Sequence, residues 1–221
     1  MKCYAESYCK KDKNECSEIC GGYRVLRALY NLSRIPDKYR YDIALGCTEI
    51  DEKVWDDLLS YMESVLDRVS EGKGLYIWGK HTGSGKTSWA CKIMNFYFRK
   101  IAFKSGLENE GLYIFLPTFL EDLRSFYDNP DPDFAEELEM VKSCKLLIID
   151  DIGAEKPSEW VRERMISIIN TRVSNNLTTI YTSNLSPDEL RGRLGDRISS
   201  RVLGSSQVIE IRGGDRRVNL W

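Results

Sequence analysis

Runs of consecutive apolar residues alternate along the chain with segments in which apolar residues recur every three or four positions. The runs are typical of buried strands and occur at residues 75–78, 112–116, 145–150, 178–182 and 207–211. The recurring pattern predicts amphipathic helices at residues 55–69, 87–98 and 158–173. Apolar strands that alternate with helices predict a parallel sheet with helices on both faces, in an α/β domain of the P-loop type.

Short polar signals predict where two of the helices begin. Thr118 and Glu121 have the spacing of a capping box, which predicts a helix start at Thr118. Ser186-Pro187, followed by Glu189, predicts a second start of the same kind.

The first predicted strand leads into a glycine-rich segment, GKHTGSGKT, at residues 79–87. It ends as a phosphate-binding loop does, but the usual G-x-x-x-x-G-K-[ST] spacing requires glycine at position 80, which is Lys80, and Gly79 lies one residue early. Strand, loop and helix follow in the order that such a loop needs, since backbone N–H groups at a helix N-terminus bind phosphate. We interpret the second half as a nucleotide site behind a bulged first half; the alternative is a glycine turn with an incidental lysine. The predicted phosphate-binding residues are Gly83, Ser84, Gly85, Lys86, Thr87 and Ser88.

Two acids end the third predicted strand, LLIIDD at residues 146–151. Beside a phosphate loop, this pattern is typical of the Mg²⁺ site of an ATPase. We predict that Thr87 and Asp150 bind Mg²⁺, Asp150 directly or through water, while Asp151 orients the attacking water or acts as a base. Asn184, at the tip of the next strand, is placed to reach the γ-phosphate, although asparagine is also common in such turns.

Composition narrows the class of protein. The chain is 42% hydrophobic and 30% charged, so a core is expected and disorder is not. No apolar run reaches the length of a membrane span and no signal-peptide core is seen, which predicts a cytoplasmic protein without a membrane partner. A net charge of −2 argues against a protein that coats nucleic acid.

Four of the seven cysteines lie in the first twenty residues: Cys3, Cys9, Cys16 and Cys20. A cytosolic chain rarely holds disulfides, so the cluster predicts a four-thiolate Zn²⁺ site that stabilises a piece too small to fold alone. The spacing lacks a C-x-x-C pair, and an iron–sulfur cluster or core cysteines remain alternatives. Cys47, Cys91 and Cys144 are scattered and are predicted to be small core residues.

The segment LLIIDDIGAEKPSEWVRERMISIINTRVSNNLTTIYTSNLSPDELRGRLGDRISSRVLG, at residues 146–204, strongly resembles the bacterial replicative helicase loaders of the DnaC/DnaI type. These are AAA+ ATPases related to the initiator DnaA and to IstB-type transposition helpers. The resemblance implies an AAA+ domain at 33–221 with a reduced or absent lid. It also implies a small Cys-rich, helicase-binding head at 1–32, and the departures from the pattern favour a phage or mobile-element version.

The resemblance also implies roles for individual residues. Two arginines gain a role from it: Arg201 matches the arginine finger that reaches a neighbouring ATP, and Arg217 matches the sensor 2 arginine, with Arg216 as the alternative. The remaining matches are Lys86 and Thr87 to Walker A, Asp150 and Asp151 to Walker B, and Asn184 to sensor 1.

The function implied is an ATP-dependent loader that binds a hexameric replicative DNA helicase and helps place it on single-stranded DNA. Mg²⁺-bound ATP would control self-association through AAA+ interfaces, and hydrolysis would release the loader. Two alternatives stay open: an IstB-like transposition helper, and a nucleotide-switched adaptor or inhibitor of a helicase.

Overall fold

A single parallel sheet organises the part of the chain that the computed structural model describes, which is residues 9, 12, 16, 17, 19–40, 43, 45, 52–104, 109–154 and 157–213. The sheet order is β2-β3-β4-β1-β5. Its strands are β1 (Gly74–Trp78), β2 (Gly111–Phe115), β3 (Leu146–Asp150), β4 (Thr178–Ser183) and β5 (Ser206–Glu210). The predicted strands are confirmed, each within one residue at either end.

The helices of the described residues lie in two layers, one on each face of the sheet. They are α1 (Gly21–Leu32), α2 (Glu52–Glu63), α3 (Val65–Ser70), α4 (Lys86–Ile101), α5 (Leu116–Asp128), α6 (Pro132–Ser143), α7 (Glu159–Ser174), α8 (Pro187–Leu194) and α9 (Asp196–Gly204). Helices α1 to α4 share one hydrophobic core with alternate strand residues such as Ile77 and Ile148. Helices α5 to α9 share a second core with the intervening residues, such as Tyr76 and Ile149. Successive side chains of a strand point to opposite faces, so runs that are apolar throughout are what two cores require.

The topology places three chain segments at one edge of the sheet. Strand β4 pairs with both β1 and β3, and all three run parallel. The glycine-rich loop after β1, the acids that end β3 and the turn after β4 therefore meet at the carboxyl edge, where ligands of open α/β sheets bind.

One of the two predicted capping boxes is wrong. Helix α5 begins at Leu116 with Phe115 at the N-cap, so Thr118 lies inside the first turn. The chain passes directly from β2 into α5, and Pro117 fits the first turn because its missing N–H has no partner there in any case. The second box is confirmed, since Ser186 N donates to Glu189 Oε2 at 2.7 Å and Glu189 N donates to Ser186 Oγ at 3.3 Å.

Helix α1 packs on the same core as α4, the helix that follows the glycine-rich loop. From the sequence, the residues of α1 are expected to belong to the Cys-rich head. The Tyr30 ring meets Phe98 of α4 edge-on at 5.7 Å between centroids. Tyr113 N of β2 donates to Ser33 O at 2.8 Å, which ties the end of α1 to the edge strand. A division of the chain at residue 32 stays a prediction, and α1 itself packs against the sheet domain.

None of the helices in the described ranges has the length and apolar character needed to cross a bilayer.

Candidate nucleotide site

The loop between β1 and α4 turns back on itself before the helix begins at Lys86. Gly83 and Gly85 have φ angles of +74° and +97°, which glycine adopts without the steric cost that a side chain adds. The first N–H groups of α4 have no partner inside the helix, so the loop and this helix start together form a site for an anion.

The ammonium group of Lys86 lies inside this loop and is buried. Its Nζ donates to the carbonyl oxygens of Gly79 and His81 at 3.0 and 2.9 Å, and to Ser84 Oγ at 3.2 Å. These contacts hold the positive charge beside the helix N-terminus, where it adds to the attraction for phosphate oxygens.

Gly79 has a structural reason to be glycine that is separate from the loop. A Cβ atom at this position would lie 2.3 Å from the carbonyl oxygen of Ile211, which follows β5. The residue also remains tied to the sheet, because its N–H donates to Ser183 O at 3.2 Å. Gly79 thus continues the sheet hydrogen bonding one residue beyond β1, which explains why it falls out of register with the usual loop spacing.

Asp150, at the end of β3, is the centre of a cluster of hydroxyl groups. Its Oδ1 accepts from Thr87 Oγ1 at 2.8 Å and from Thr182 Oγ1 at 2.6 Å. Its Oδ2 accepts from Tyr113 OH at 2.8 Å. The carboxylate is 5% exposed, and none of the ion pairs among the described residues involves it. The structure therefore brings the predicted pair Thr87 and Asp150 into direct contact.

Asp151 follows in a left-handed conformation, with φ of +64°. Its N–H donates to Thr182 Oγ1 at 2.9 Å, and its Oδ1 accepts from Asn184 Nδ2 at 3.2 Å. Burial raises the pKa of Asp151, the Asp150 charge raises it further, and Lys86 partly opposes both. A carboxylate with a raised pKa accepts a proton more readily, which suits the base or water-orienting role.

Of the three predicted arginines, Arg201 is the one that lies within the described residues, and it does not contact this cluster. Arg201 lies on α9, is partly exposed, and donates from Nη1 to Arg197 O of its own helix at 2.8 Å. Arg216 and Arg217 lie outside the described residues.

The cysteine head is described only in part. Cys3 lies outside the described residues, and the remainder of the chain's description contains no group of three or more His, Cys, Asp or Glu side chains placed to hold a metal. The zinc site gains no support and stays a prediction. Cys91 and Cys144 are buried, as predicted, while Cys47 is outside the described residues.

Sequence reasoning missed two residues of the site, Tyr113 and Thr182. Each lies within an apolar strand, β2 or β4, where a tyrosine or threonine is a common core residue. Thr182 offered a usable signal, because it lies near the carboxyl end of a strand that leads to the predicted site. Tyr113 is the middle residue of β2, and its position offered no such signal.

The donor set fits Mg²⁺ with a nucleotide. Hydroxyl and carboxylate oxygens are the protein ligands that Mg²⁺ prefers, and Thr87 and Asp150 supply them beside a buried ammonium group. Lys86 and the loop N–H groups would hold the phosphates, and Thr87 with Asp150 would hold the ion that neutralises their charge.

Comparison with known proteins finds relatives among replication proteins. The chain is 34% identical over 179 residues to the replicative helicase loader DnaI of Bacillus subtilis (strain 168), covering 75% of this chain and 53% of that protein. The chain thus spans about half the length of this curated relative. No family model matches the chain.

Two solved structures share the fold. A crystal structure of DnaI superposes with a TM-score of 0.60 at 25% identity, over 88% of this chain and 93% of that one. A crystal structure of the DnaC helicase loader superposes with a TM-score of 0.65 at 22% identity, over 80% of this chain and 100% of that one. The chain is therefore a relative of the helicase loaders of the DnaC/DnaI type and has their AAA+ fold.

Proposed function

We propose that this protein is an ATP-dependent loader that binds a hexameric replicative DNA helicase and helps place it on single-stranded DNA. The observation that carries the proposal is the cluster of Lys86, Thr87, Asp150, Asp151 and Asn184 at one edge of a sheet shared with known loaders. ATP binding and hydrolysis control assembly and release.

Each side chain of the cluster has one task in this proposal. Lys86 neutralises charge on the β- and γ-phosphates, and Thr87 with Asp150 holds Mg²⁺. Asp151 receives a proton from water or orients it, and the Asn184 amide fixes the orientation of Asp151 through their contact. The raised pKa of Asp151, caused first by burial and then by Asp150, supports its role as a base.

Arg201 completes the site of a neighbouring copy. It is partly exposed on α9, and among the described residues its guanidinium group bonds only to Arg197 O of the same helix, so its other N–H groups can reach a second protomer. Arg201→Ala should still bind ATP but fail to hydrolyse it in the assembly, because the finger stabilises charge in the transition state. Turnover by the assembled variant equal to that of the unchanged protein would remove this assignment.

The Cys-rich head binds the helicase, and Zn²⁺ holds it together. Elemental analysis of protein purified without added metal tests the zinc, and a metal-to-protein ratio near zero would exclude it. A truncation that tests the head should stop at residue 20, because Leu26, Leu29 and Tyr30 of α1 lie in the core.

An exposed patch between α5 and α7 supports contact with single-stranded DNA. The Tyr127 ring is half exposed and lies edge-on to Trp160 at 5.2 Å. The Arg164 guanidinium lies 5.3 Å from the Tyr127 ring centre and donates to its hydroxyl at 3.1 Å. Aromatic faces beside arginine stack on bases without regard to sequence, so Tyr127→Ala should weaken DNA binding while it leaves nucleotide binding unchanged.

The experiment is a measurement of complex mass by size-exclusion chromatography with light scattering. The protein is mixed with the host's replicative helicase, with and without ATP and Mg²⁺. A defined complex that is lost on deletion of residues 1–20 supports the loader and identifies the head as the contact. The absence of any complex, together with ATP-dependent assembly on duplex DNA, would instead support the transposition helper.

A further inference from the structure

Two of the three hydroxyl groups on Asp150 come from the interior of the sheet rather than from the nucleotide loop. Tyr113 belongs to β2 on one side of β3, and Thr182 belongs to β4 on the other. Both side chains are buried, at 8% and 2% exposure. The Asp150 carboxylate is thus held from the two neighbouring strands, at 2.8 Å by Tyr113 OH and at 2.6 Å by Thr182 Oγ1.

We propose that Tyr113 and Thr182 are positioning residues that fix the Asp150 carboxylate for Mg²⁺ and limit it to a single contact with the ion. The inference rests on the proposed function, because it assigns the metal selectivity of that same site. Neither residue touches the ion; both act through Asp150.

The limit to one contact follows from the number of acceptor positions. An ionised carboxylate offers about four lone-pair positions. Thr87 and Thr182 take two on Oδ1, and Tyr113 takes one on Oδ2. About one position remains, on Oδ2, which excludes a bidentate contact with the ion.

One contact favours Mg²⁺ over Ca²⁺. Mg²⁺ keeps several waters and takes one or two carboxylate contacts, whereas Ca²⁺ takes more oxygen ligands and readily accepts bidentate carboxylates. Tyr113 and Thr182, which together form a clamp on the carboxylate, leave Asp150 one free position. This clamp therefore selects against the larger ion.

The Thr182 hydroxyl is fixed from both sides. Its oxygen accepts from Asp151 N, and its hydrogen is donated to Asp150 Oδ1.

The chain contains a matched control for the loss of the tyrosine hydroxyl. Tyr97 OH donates to Glu110 Oε2 at 2.7 Å, and Glu110 is 5% exposed, the same as Asp150. Tyr97→Phe therefore removes a buried phenol–carboxylate bond of the same kind, but at the amino end of β2, away from the nucleotide loop.

The test is equilibrium binding of a fluorescent ATP analogue to the full chain, titrated with Mg²⁺ and separately with Ca²⁺. Tyr113→Phe should raise the Mg²⁺ concentration needed for half-maximal enhancement about tenfold, since carboxylate-orienting partners typically contribute 10- to 100-fold to metal affinity. Tyr113→Phe leaves both positions on Oδ1 occupied, so the Ca²⁺ midpoint should move by a similar factor. Thr182→Val frees a position on Oδ1 and thereby permits a bidentate contact, which Ca²⁺ accepts more readily than Mg²⁺. In this variant the Ca²⁺ midpoint should therefore shift clearly less than the Mg²⁺ midpoint, and Thr182→Val also tests the positioning role if Tyr113→Phe does not fold.

Each outcome has one meaning. A Mg²⁺ midpoint within twofold of the unchanged protein in either variant, or equal shifts for both ions in Thr182→Val, would overturn the clamp. An equal shift in Tyr97→Phe would show a general effect of core stability and would overturn it too. If the unchanged protein binds no nucleotide, or binds it equally with Lys86→Ala, the proposed function fails instead.

Discussion

Two buried carboxylates with tyrosine partners lie at opposite ends of the sheet, and their surroundings differ in one respect. Glu110, just before β2, accepts from Tyr97 OH and forms an ion pair with Lys145 at 2.8 Å. Asp150, at the end of β3, accepts from Tyr113 OH but otherwise only from threonine hydroxyls. Both residues are 5% exposed.

The difference supports the proposal that Asp150, and not Glu110, pairs with an external cation. A buried negative charge is costly unless it is paired. For Glu110 the chain supplies the cation, so that charge is a structural feature. For Asp150 the described residues supply dipoles without a paired cation, beside the proposed phosphate loop, which fits the proposal that a metal ion supplies the positive charge.

The largest contrast should come from removing each negative charge in turn. Asp150→Asn should lower ATP turnover at least about 100-fold, since metal-ion stabilisation of the transition state amounts to several kcal/mol. Glu110→Gln should leave turnover per folded molecule within about twofold while it lowers thermal stability. Initial rates of phosphate release, with folded protein quantified by circular dichroism, measure both. Equal losses of turnover in Asp150→Asn and Glu110→Gln would contradict the separate roles of the two carboxylates.

Lys145 offers the next test, on stability rather than activity. Lys145→Ala leaves the Glu110 carboxylate buried without its cation, which should cost about 1–2 kcal/mol in the free energy of unfolding. The value lies below that for a fully buried pair because the lysine side chain is 55% exposed and water can partly replace it. Urea unfolding measures the change. A loss of nucleotide binding in Lys145→Ala would contradict the purely structural role of the Glu110–Lys145 pair at the amino end of the sheet.

Asp151 should show a smaller effect whose sign depends on pH. The pKa of Asp151 in the folded protein is raised from the usual 3.8, so ionisation of its carboxyl group destabilises the folded state. This destabilisation develops as pH rises through 3.8 and then through the pKa of the folded state, and it is present at neutral pH. Asp151→Asn should therefore raise the melting temperature at pH 7.5 by about 1–3 °C, and the gain should shrink as pH falls towards 4. Asparagine also tolerates the left-handed backbone at this position. Scanning calorimetry at several pH values tests this; a lower melting temperature at pH 7.5 would contradict it.

The same substitution should reduce hydrolysis while nucleotide binding is kept. A variant that gains stability and loses turnover would show that the Asp151 charge is retained for chemistry at a cost to the fold. Full turnover in Asp151→Asn would remove the residue from the catalytic assignment.

The sequence predicted the sheet and the residues of the loop because each is encoded locally. Apolar runs define the strands, and the GSGKT segment at 83–87 is contiguous. Asp151 and Asn184 were predicted separately as site residues, and their contact was not predicted. The contact arises because residues at the carboxyl ends of neighbouring parallel strands lie close together.

What the sequence did not predict depends on packing between strands. Tyr113 is an aromatic residue within an apolar run, and nothing in the local sequence distinguishes it from a core residue. Only the register of β2 against β3 brings its hydroxyl group to Asp150. The helix start at Thr118 was wrong for a related reason: β2 continues directly into α5, and local capping signals do not report where a strand stops.

The most direct test of the account is nucleotide binding measured by calorimetry for the unchanged protein, Lys86→Ala and Lys145→Ala, with and without Mg²⁺. We expect the unchanged protein to bind nucleotide and Mg²⁺ to strengthen this binding. Lys86→Ala should weaken binding at least about 100-fold, because it removes a charge-assisted contact with phosphate. Lys145→Ala should bind nucleotide as the unchanged protein does. Undiminished binding in Lys86→Ala, or binding that depends equally on both lysines, would contradict the assignment of the carboxyl edge of the sheet as the ATP site.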